Sequence, residues 1–249
     1  MRIFLLLIVC GPMLWAQTIS NVDLDDVRLQ TKDESSAFFY QKLTERLYAF
    51  DTTLTEIEMV YLYYGIAFQP GYMPYGSSDE LRAAQGKFKN EDFEGAISPA
   101  KKAWDKDPVS LKALYYLMIG HMAVEDTISA FQYGHWYYGF LDIIYGSGDG
   151  LSESTAFVVN RVEDEYTILR DLGLGITKQG LQNSTDVMTL REPIPHPEKP
   201  GHEIDALYFN VHLPLNHLNN MFSDDDSDKK SKRKKKDKKN KWKKKKSGE

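Results

Sequence analysis

The chain changes character within Gly146-Ser-Gly-Asp-Gly-Leu-Ser-Glu-Ser-Thr-Ala-Phe-Val-Val-Asn-Arg-Val-Glu-Asp-Glu-Tyr166. Three glycines in its first five residues allow positive φ angles and close backbone approach, so the chain can turn sharply there. Upstream, apolar residues recur at helical spacing, whereas the β-branched run from Thr155 to Val162 predicts the start of a sheet. The sequence therefore predicts an α+β fold, with a helical half before the glycines and a sheet half after them.

The helical half is predicted over residues 35–145, and part of it resembles tetratricopeptide repeats. Asp92-Phe93-Glu-Gly-Ala96 opens a helix that continues through Ala100 and Ala103 to Asp107-Pro108. An aromatic residue, then alanines, then Asp-Pro is typical of the second helix of such a repeat, because small side chains let neighbouring helices approach closely. A stable stack needs about three repeats, so the sheet is expected to cap this shorter one. The other main helices are predicted at residues 35–50, 56–68, 111–122 and 127–145.

The sheet half is predicted over residues 146–215 of the same domain, as a small and mainly antiparallel sheet with one short helix at 163–172. Leu207, Phe209 and Val211 alternate with polar residues, which predicts that they face the core. Four prolines between 193 and 200 are expected to keep that loop out of the sheet, because proline has no N–H to donate. Strands are predicted at residues 155–162, 180–183, 186–191 and 206–213.

The N-terminus reads as a signal peptide over residues 1–16. Arg2 precedes an apolar run at residues 3–9, and Gly11-Pro12 breaks the helix before a small-residue site at Ala16-Gln17. Export to the periplasm or the extracellular space is therefore expected, with association with the envelope surface left open. The only cysteine, Cys10, lies inside this segment, and the bulky Val9 before it argues against a lipoprotein site. Residues 17–34 are polar and acidic, and they predict a loose lead-in segment.

The C-terminus predicts a disordered tail over residues 223–249, acidic at first and then rich in lysine. The net charge of −5 conceals an asymmetry, because residues 229–249 carry +12 and residues 1–228 carry −17. A flexible polycation suits an anionic membrane surface or a phosphate-rich glycolipid, and export argues against a nucleic-acid partner. A solubilising tail and a tail screened by the acidic body are the alternatives. The expected contact residues are Lys234, Lys235, Lys236 and Trp242.

Three sequence blocks follow one another in a specific order. The first runs from Thr44 to Gly65, the second is Asp107-Pro-Val-Ser-Leu-Lys-Ala-Leu-Tyr-Tyr116, and the third runs from Gly148 to Tyr166 and is joined by Leu207-Tyr-Phe-Asn-Val211. Together they resemble an uncharacterised family of secreted bacterial proteins, the domain of unknown function 4919. The resemblance spans about residues 35–215. It implies the architecture and export, but no catalytic role, because the family has no assigned activity.

The glycine stretch does not match a known phosphate or nucleophile motif. It follows a helix and precedes a strand, the reverse of the order in dinucleotide-binding loops, and it lacks a P-loop lysine and a G-x-S-x-G elbow. A tight turn is one interpretation. The other is a polar junction site, and the acidic helix start at Glu163-Asp164-Glu165 favours capping over catalysis. The candidate junction residues are Asp149, Ser152, Glu153, Thr155 and Glu165.

Dense aromatic residues predict either helix packing or a groove. Tyrosine can bury its ring while its hydroxyl stays in water, so such residues can line a groove for a peptide or glycan, although helical spacing favours core packing. A second aromatic cluster runs from Phe131 to Phe140. The candidate groove residues are Tyr61, Tyr64, Tyr72 and Tyr75.

Together these features favour a non-enzymatic interaction or scaffold module of the cell envelope, with a protein or peptide partner in the helical groove and an electrostatic tail. The alternatives are a hydrolase that uses Asp149, Glu153 and Glu165, and a small-ligand binder at the helix–sheet junction or on the tyrosine-rich surface. No cofactor or metal is indicated, because the spacing of His196, His202, His212 and His217 does not support a zinc site. The sequence leaves the oligomeric state open.

Overall fold

In the computed structural model, which describes residues 22–221, helices pack against a four-stranded sheet in an α+β fold. The predicted signal peptide and lysine-rich tail lie outside these residues. The helices are α1 (Leu24–Lys32), α2 (Tyr40–Tyr48), α3 (Glu56–Gly65), α4 (Asp79–Lys89), α5 (Phe93–Lys106), α6 (Leu111–Ala123), α7 (Thr127–Tyr145) and α8 (Val162–Asp171), followed by a helical segment at 212–221. The strands are β1 (Phe157–Val158), β2 (Ile176–Gln182), β3 (Thr185–Pro195) and β4 (Glu203–Asn210).

The helices begin at polar caps that the sequence marks. The side chains of Ser78, Asp92, Ser110 and Asp126 accept backbone N–H bonds at the starts of α4 to α7. Thr55 and Glu58 form a capping box at the start of α3. Each cap satisfies amides that have no partner inside the helix, so local chemistry decides where these helices start.

Consecutive helices from α4 to α7 contact one another, and turns of three or four residues join them. On α5, Ala96 and Ala100 have no exposed surface, in keeping with the close helix approach that the alanine pattern predicts. Trp104 of α5 and Trp136 of α7 are also interior, at 1% and 0% exposure. The relation to tetratricopeptide repeats stays a prediction.

The expectation of a loose lead-in is wrong for residues 24–32, which form α1. Asp23 caps this helix by accepting bonds from the N–H groups of Asp25 and Asp26, and Val27 is buried at 2% exposure. The Tyr61 hydroxyl of α3 also bonds to Asp26. The acidic character that indicates a loop is therefore the N-terminal signature of a helix, where the helix dipole favours negative charge.

The glycine stretch forms the tight turn between α7 and the sheet. At Gly148 a Cβ atom would lie 2.3 Å from the backbone oxygen of Thr155. Gly150 has φ +68°, and a Cβ there would meet the Phe157 ring at 2.3 Å. The Gly150 N–H donates to the Thr155 carbonyl at 2.8 Å, which closes the turn. Both glycines are therefore required by close approach.

The strand predicted at residues 155–162 is mostly absent, since only Phe157 and Val158 form a strand. Tyrosine hydroxyls take up the neighbouring backbone groups instead. Tyr64 donates to the Val158 carbonyl at 3.1 Å, and Tyr72 donates to the Asn160 carbonyl. A β-branched run predicts extended backbone, but it does not show whether a strand or side chains will satisfy that backbone.

The sheet has the strand order β1-β4-β3-β2, with β1 parallel to β4 and the other pairs antiparallel. Leu207, Phe209 and Val211 are buried, as their alternation predicts. The expectation that the prolines stay out of the sheet is wrong for Pro193 and Pro195, which lie in β3. Strand β2 pairs with β3 only as far as Leu190, so among the described residues the later part of β3 has no paired strand on that side. Proline has no N–H to donate, and on this open edge no strand needs that hydrogen bond.

Candidate functional site

The predicted junction residues lie in a hydrogen-bonded turn. The Asp149 carboxylate accepts the Leu151 N–H at 2.9 Å, and the Ser152 and Thr155 hydroxyls lie 2.8 Å apart. Glu153 accepts from the Asn183 side chain at 2.9 Å. Asp149 and Glu153 are exposed, and their partners are local groups of the turn and of the β2–β3 hairpin. The arrangement can order the junction, and the contacts do not form a catalytic cluster.

Glu165 lies apart from this turn, in a buried carboxyl pair with Asp186 of β3. Glu165 has no exposed surface, Asp186 is 7% exposed, and the Gln179 amide donates to Asp186 at 2.6 Å. Burial, reinforced by the charge of Asp186, raises the pKa of Glu165 to about 9. Glu165 is therefore protonated at neutral pH, and its Oε1 is buried without a hydrogen-bond partner. The three carboxylates required by the hydrolase alternative have separate partners.

The predicted tyrosine groove is largely interior. Tyr61, Tyr64 and Tyr72 are 8%, 0% and 5% exposed, and only Tyr75 is open to solvent at 40%. The Tyr64 and Tyr72 hydroxyls bond to backbone carbonyls beside β1. These rings belong to the packing between α3, the following loop and the start of α8, so they do not form an open aromatic surface. Core packing, the alternative interpretation, describes three of the four.

A buried ionic network at the start of α8 was not among the sequence candidates. Arg161 is 7% exposed, and its Nη1 lies 2.5 Å from Oδ2 of Asp107, at the end of α5. Its Nε donates to the Asn160 side chain at 3.1 Å. One turn into α8, the Asp164 carboxylate accepts from the Tyr63 hydroxyl at 2.6 Å. The network links three helices through charge-assisted hydrogen bonds.

Burial dominates the titration of this network. It raises the pKa of Asp164 to about 7, although Arg161 and the Tyr63 hydroxyl act in the opposite direction. Burial also raises the pKa of Asp107, against the charge of Arg161. The Asp107 Oδ1 is buried without a hydrogen-bond partner, although its side chain as a whole is 22% exposed. A cavity of about 690 Å³ adjoins Asp107 and Arg161 and is also lined by the loop that follows α3.

The main apolar surface feature is a groove between α6 and α7, with a volume of about 760 Å³. Met122, Phe131 and Tyr138 line it and are 58%, 72% and 54% exposed. Gly134 and Gly139 of α7 also line it, and a Cβ atom on them would meet Met118 at 3.2 Å and Met59 at 2.4 Å, so their lack of a side chain serves the packing of α7 against α6 and α3. Exposed apolar surface of this kind indicates an interaction site. We call this the α6–α7 groove.

The exposed side of α7 carries a heptad seam. Ile128, Phe131, His135, Tyr138 and Asp142 follow one another at spacings of three and four residues, the pattern of helices that pack side by side. Ile128 is 74% exposed. At the far end of the seam, burial and the charges of Asp171 and Glu56 raise the pKa of Asp142. The groove therefore combines an apolar stripe with an acidic end.

The aromatic run at 131–140 has two faces, one exposed at Phe131 and Tyr138 and one buried at Tyr133, Trp136 and Phe140. The heptad spacing was readable in the sequence and is the signal that could have identified the seam. The pairing of Asp107 with Arg161 had no such signal, because the two residues are far apart in the chain. Among residues 22–221, no group of three or more His, Cys, Asp or Glu side chains is placed to hold a metal ion. None of the helices described is long and apolar enough to cross a membrane.

Comparison with known proteins identifies a family. A family model described as a domain of unknown function (DUF4919) matches residues 25–220. No curated protein and no solved structure matches the chain. One family model covers both the helices and the sheet. Its description assigns no activity to any residue.

Proposed function

Since the chain belongs to the DUF4919 family, which carries no assigned activity, we propose its function from the geometry. The protein is an exported, non-enzymatic interaction module of the cell envelope. Its α6–α7 groove binds an amphipathic helix of a partner protein, and the lysine-rich tail adds an electrostatic contact with an anionic surface. The exposed heptad seam of α7 is the observation that supports the groove.

The chemistry of the groove defines the occupant. A seam of alternating three- and four-residue spacing is complementary to another helix with apolar residues at the same spacing. The acidic end, formed by Asp142 with Asp171 and Glu56 nearby, favours a basic residue at the matching end of that helix. The partner helix is therefore apolar on the face that enters the groove and basic at the end that meets Asp142, and binding of an amphipathic helix in a groove is a common mode of recognition.

We expect an amphipathic peptide of leucine and lysine, about 18 residues or roughly five turns long, to bind this groove. Phe131→Ser should weaken the binding at least about tenfold, because a central exposed aromatic side chain is the kind of anchor that dominates helix-in-groove binding. Fluorescence anisotropy of a labelled peptide, titrated with the protein, measures the change in Kd.

The matched control is Leu181→Ser, which removes an apolar side chain that is 56% exposed on β2, away from the groove. It should leave the Kd unchanged. A peptide with the same leucines but glutamate in place of lysine should bind more weakly. If Phe131→Ser and Leu181→Ser weaken peptide binding equally, the peptide binds non-specifically and the proposal is contradicted. If the protein sediments as a dimer that Phe131→Ser dissociates, the occupant is a second copy of this chain and not a partner helix.

The tail supplies the second contact through its charge. Residues 229–249 carry +12, and each basic residue near an anionic membrane contributes up to about 1 kcal/mol. Deleting residues 224–249 should therefore remove most of the salt-sensitive binding to vesicles that contain anionic lipid. Co-sedimentation at low and high salt measures this effect, and neutral vesicles provide the control. Unchanged binding after the deletion would rule out the electrostatic tail.

A further inference from the structure

A separate cavity of about 820 Å³ lies between α1 and the helical segment at 212–221, and the α6–α7 groove does not involve it. Its lining combines cationic and imidazole groups with apolar side chains. The cationic and imidazole groups are those of Arg28, Lys32, His212 and His217. The apolar side chains include Leu24, Phe39, Phe68 and Leu213. We propose that this cavity binds the phosphate head group of a membrane lipid, with the adjoining part of the lipid chain against the apolar side chains.

The sign of the charge at this cavity is opposite to that of the body. Residues 22–221 contain 30 acidic and 16 basic side chains, a net charge of −14. Among the residues that line the cavity, Arg28 and Lys32 are opposed by one carboxylate, that of Asp25. The lining therefore carries a net charge of +1, and a cleft with an excess of one sign of charge concentrates ligands of the other sign. An anion near this acidic protein is therefore drawn to this cavity.

Both cations have the freedom to contact a ligand. Arg28 bonds to Asp25 through Nη2 at 3.1 Å, but the two side chains are 51% and 86% exposed, so this i,i+3 pair contributes little to stability. Lys32 has no ion-pair partner within residues 22–221 and is exposed. A guanidinium and an ammonium group on successive turns of α1 can contact one phosphate together, the arginine with two parallel N–H bonds.

The apolar part of the lining favours a lipid over free phosphate. Phe39 and Phe68 are partly buried and Leu213 is 6% exposed, so these side chains form an apolar floor beside the cations. Inorganic phosphate would leave that floor in contact with water, whereas an acyl chain would cover it. The cavity volume lies within the usual range of about 300–1,000 Å³ for small-ligand sites.

A purely structural explanation exists for each cation. Lys32 lies in the last turn of α1, where a positive charge stabilises the helix, and Arg28 pairs within its own helix. Helix α4 contains the same arrangement, since Arg82 pairs with Asp79 at i,i+3 and Lys89 lies in the last turn. The double variant Arg82→Gln with Lys89→Gln therefore removes equivalent charges that do not line the cavity and serves as a matched control.

The test uses dihexanoyl phosphatidic acid below its micelle concentration, so that no membrane surface contributes to binding. Isothermal titration calorimetry with the mature chain should show one saturable site. Arg28→Gln with Lys32→Gln should weaken it at least about tenfold, because two charge-assisted contacts are lost. The α4 control and the deletion of residues 224–249 should leave the Kd within about twofold, which also separates this site from the tail.

Two further ligands distinguish the sources of the phosphate. Inorganic phosphate should bind much more weakly than the lipid, and dihexanoylglycerol, which has no phosphate, should not bind measurably. Inorganic phosphate that binds as tightly as the lipid would overturn the lipid assignment. Equal losses in the α1 and α4 variants, or no saturable binding at all, would overturn the site itself. Thermal melting of each variant verifies that loss of binding does not reflect loss of folding.

Discussion

Arg161→Met is expected to destabilise the fold by about 3–5 kcal/mol, because it leaves buried carboxylates without their counter-ion. Asp107 loses its partner at 2.5 Å, and its Oδ1 already has no hydrogen bond. Asp164 loses the nearby positive charge that opposes the effect of its burial. Methionine retains the length and most of the apolar contact of the side chain, so the loss reports on charge. Urea denaturation at pH 7 measures it.

Two controls separate this loss from a general effect of removing arginine. Arg82→Met breaks an exposed pair with Asp79 and should change stability by less than about 1 kcal/mol. Adding Asp107→Asn to Arg161→Met should recover part of the loss, since the uncompensated carboxylate is then gone. A loss below about 1 kcal/mol for Arg161→Met, with the same denaturant dependence as the wild type, would contradict the network's structural importance.

The order of the elements could be predicted from sequence because its signals are local. The caps at Ser78, Asp92 and Ser110 and the turn glycines each act within a few residues of themselves. The prediction of a loose lead-in segment is wrong because acidic residues indicate a loop and a helix start equally well. Only the burial of Val27 distinguishes the two. β1 is shorter than predicted because tyrosines from α3 and the following loop satisfy the backbone near it.

The candidate sites were harder to predict, because they depend on which distant residues meet. Glu165 was named as a junction residue, yet its partner is Asp186 on β3, which the sequence did not single out. Tyr64 and Tyr72 are predicted to line a groove, but their hydroxyls donate hydrogen bonds to backbone carbonyls of the segment at 158–160. The α7 seam, in contrast, lies on one helix, so its spacing places its residues on one face. The buried face has the same spacing at Tyr133, Tyr137, Phe140 and Ile144, and only the structure shows which face is exposed.

The second large effect concerns pH, and Glu165→Gln should remove its larger part, since Asp164, with a pKa raised to about 7, adds a smaller loss over the lower part of the range. The pKa of Glu165 is about 9 in the folded protein against 4.5 for the free side chain. Between these values the folded state holds a proton that the unfolded state has released, so raising the pH favours unfolding. The contribution is complete below about pH 4.5 and is lost as the pH rises towards about 9. The wild type should therefore lose stability steadily across this range.

Glutamine imitates the protonated acid, since it is uncharged and nearly the same size, so it removes the titration without leaving a cavity. Glu165→Gln should match the wild type near pH 5 and exceed it by roughly 2–5 kcal/mol at pH 9. Urea denaturation at several pH values gives both curves. Glu192→Gln, which removes an exposed carboxylate on β3, is the control and should leave the slope with pH unchanged.

Two outcomes would contradict this prediction. If Glu165→Gln keeps the wild-type slope, Glu165 is ionised in the folded protein and the carboxyl pair does not share a proton. If it is equally destabilised at every pH, the site rejects the amide for steric reasons, and Glu165→Met then tests whether removing the charge alone flattens the curve.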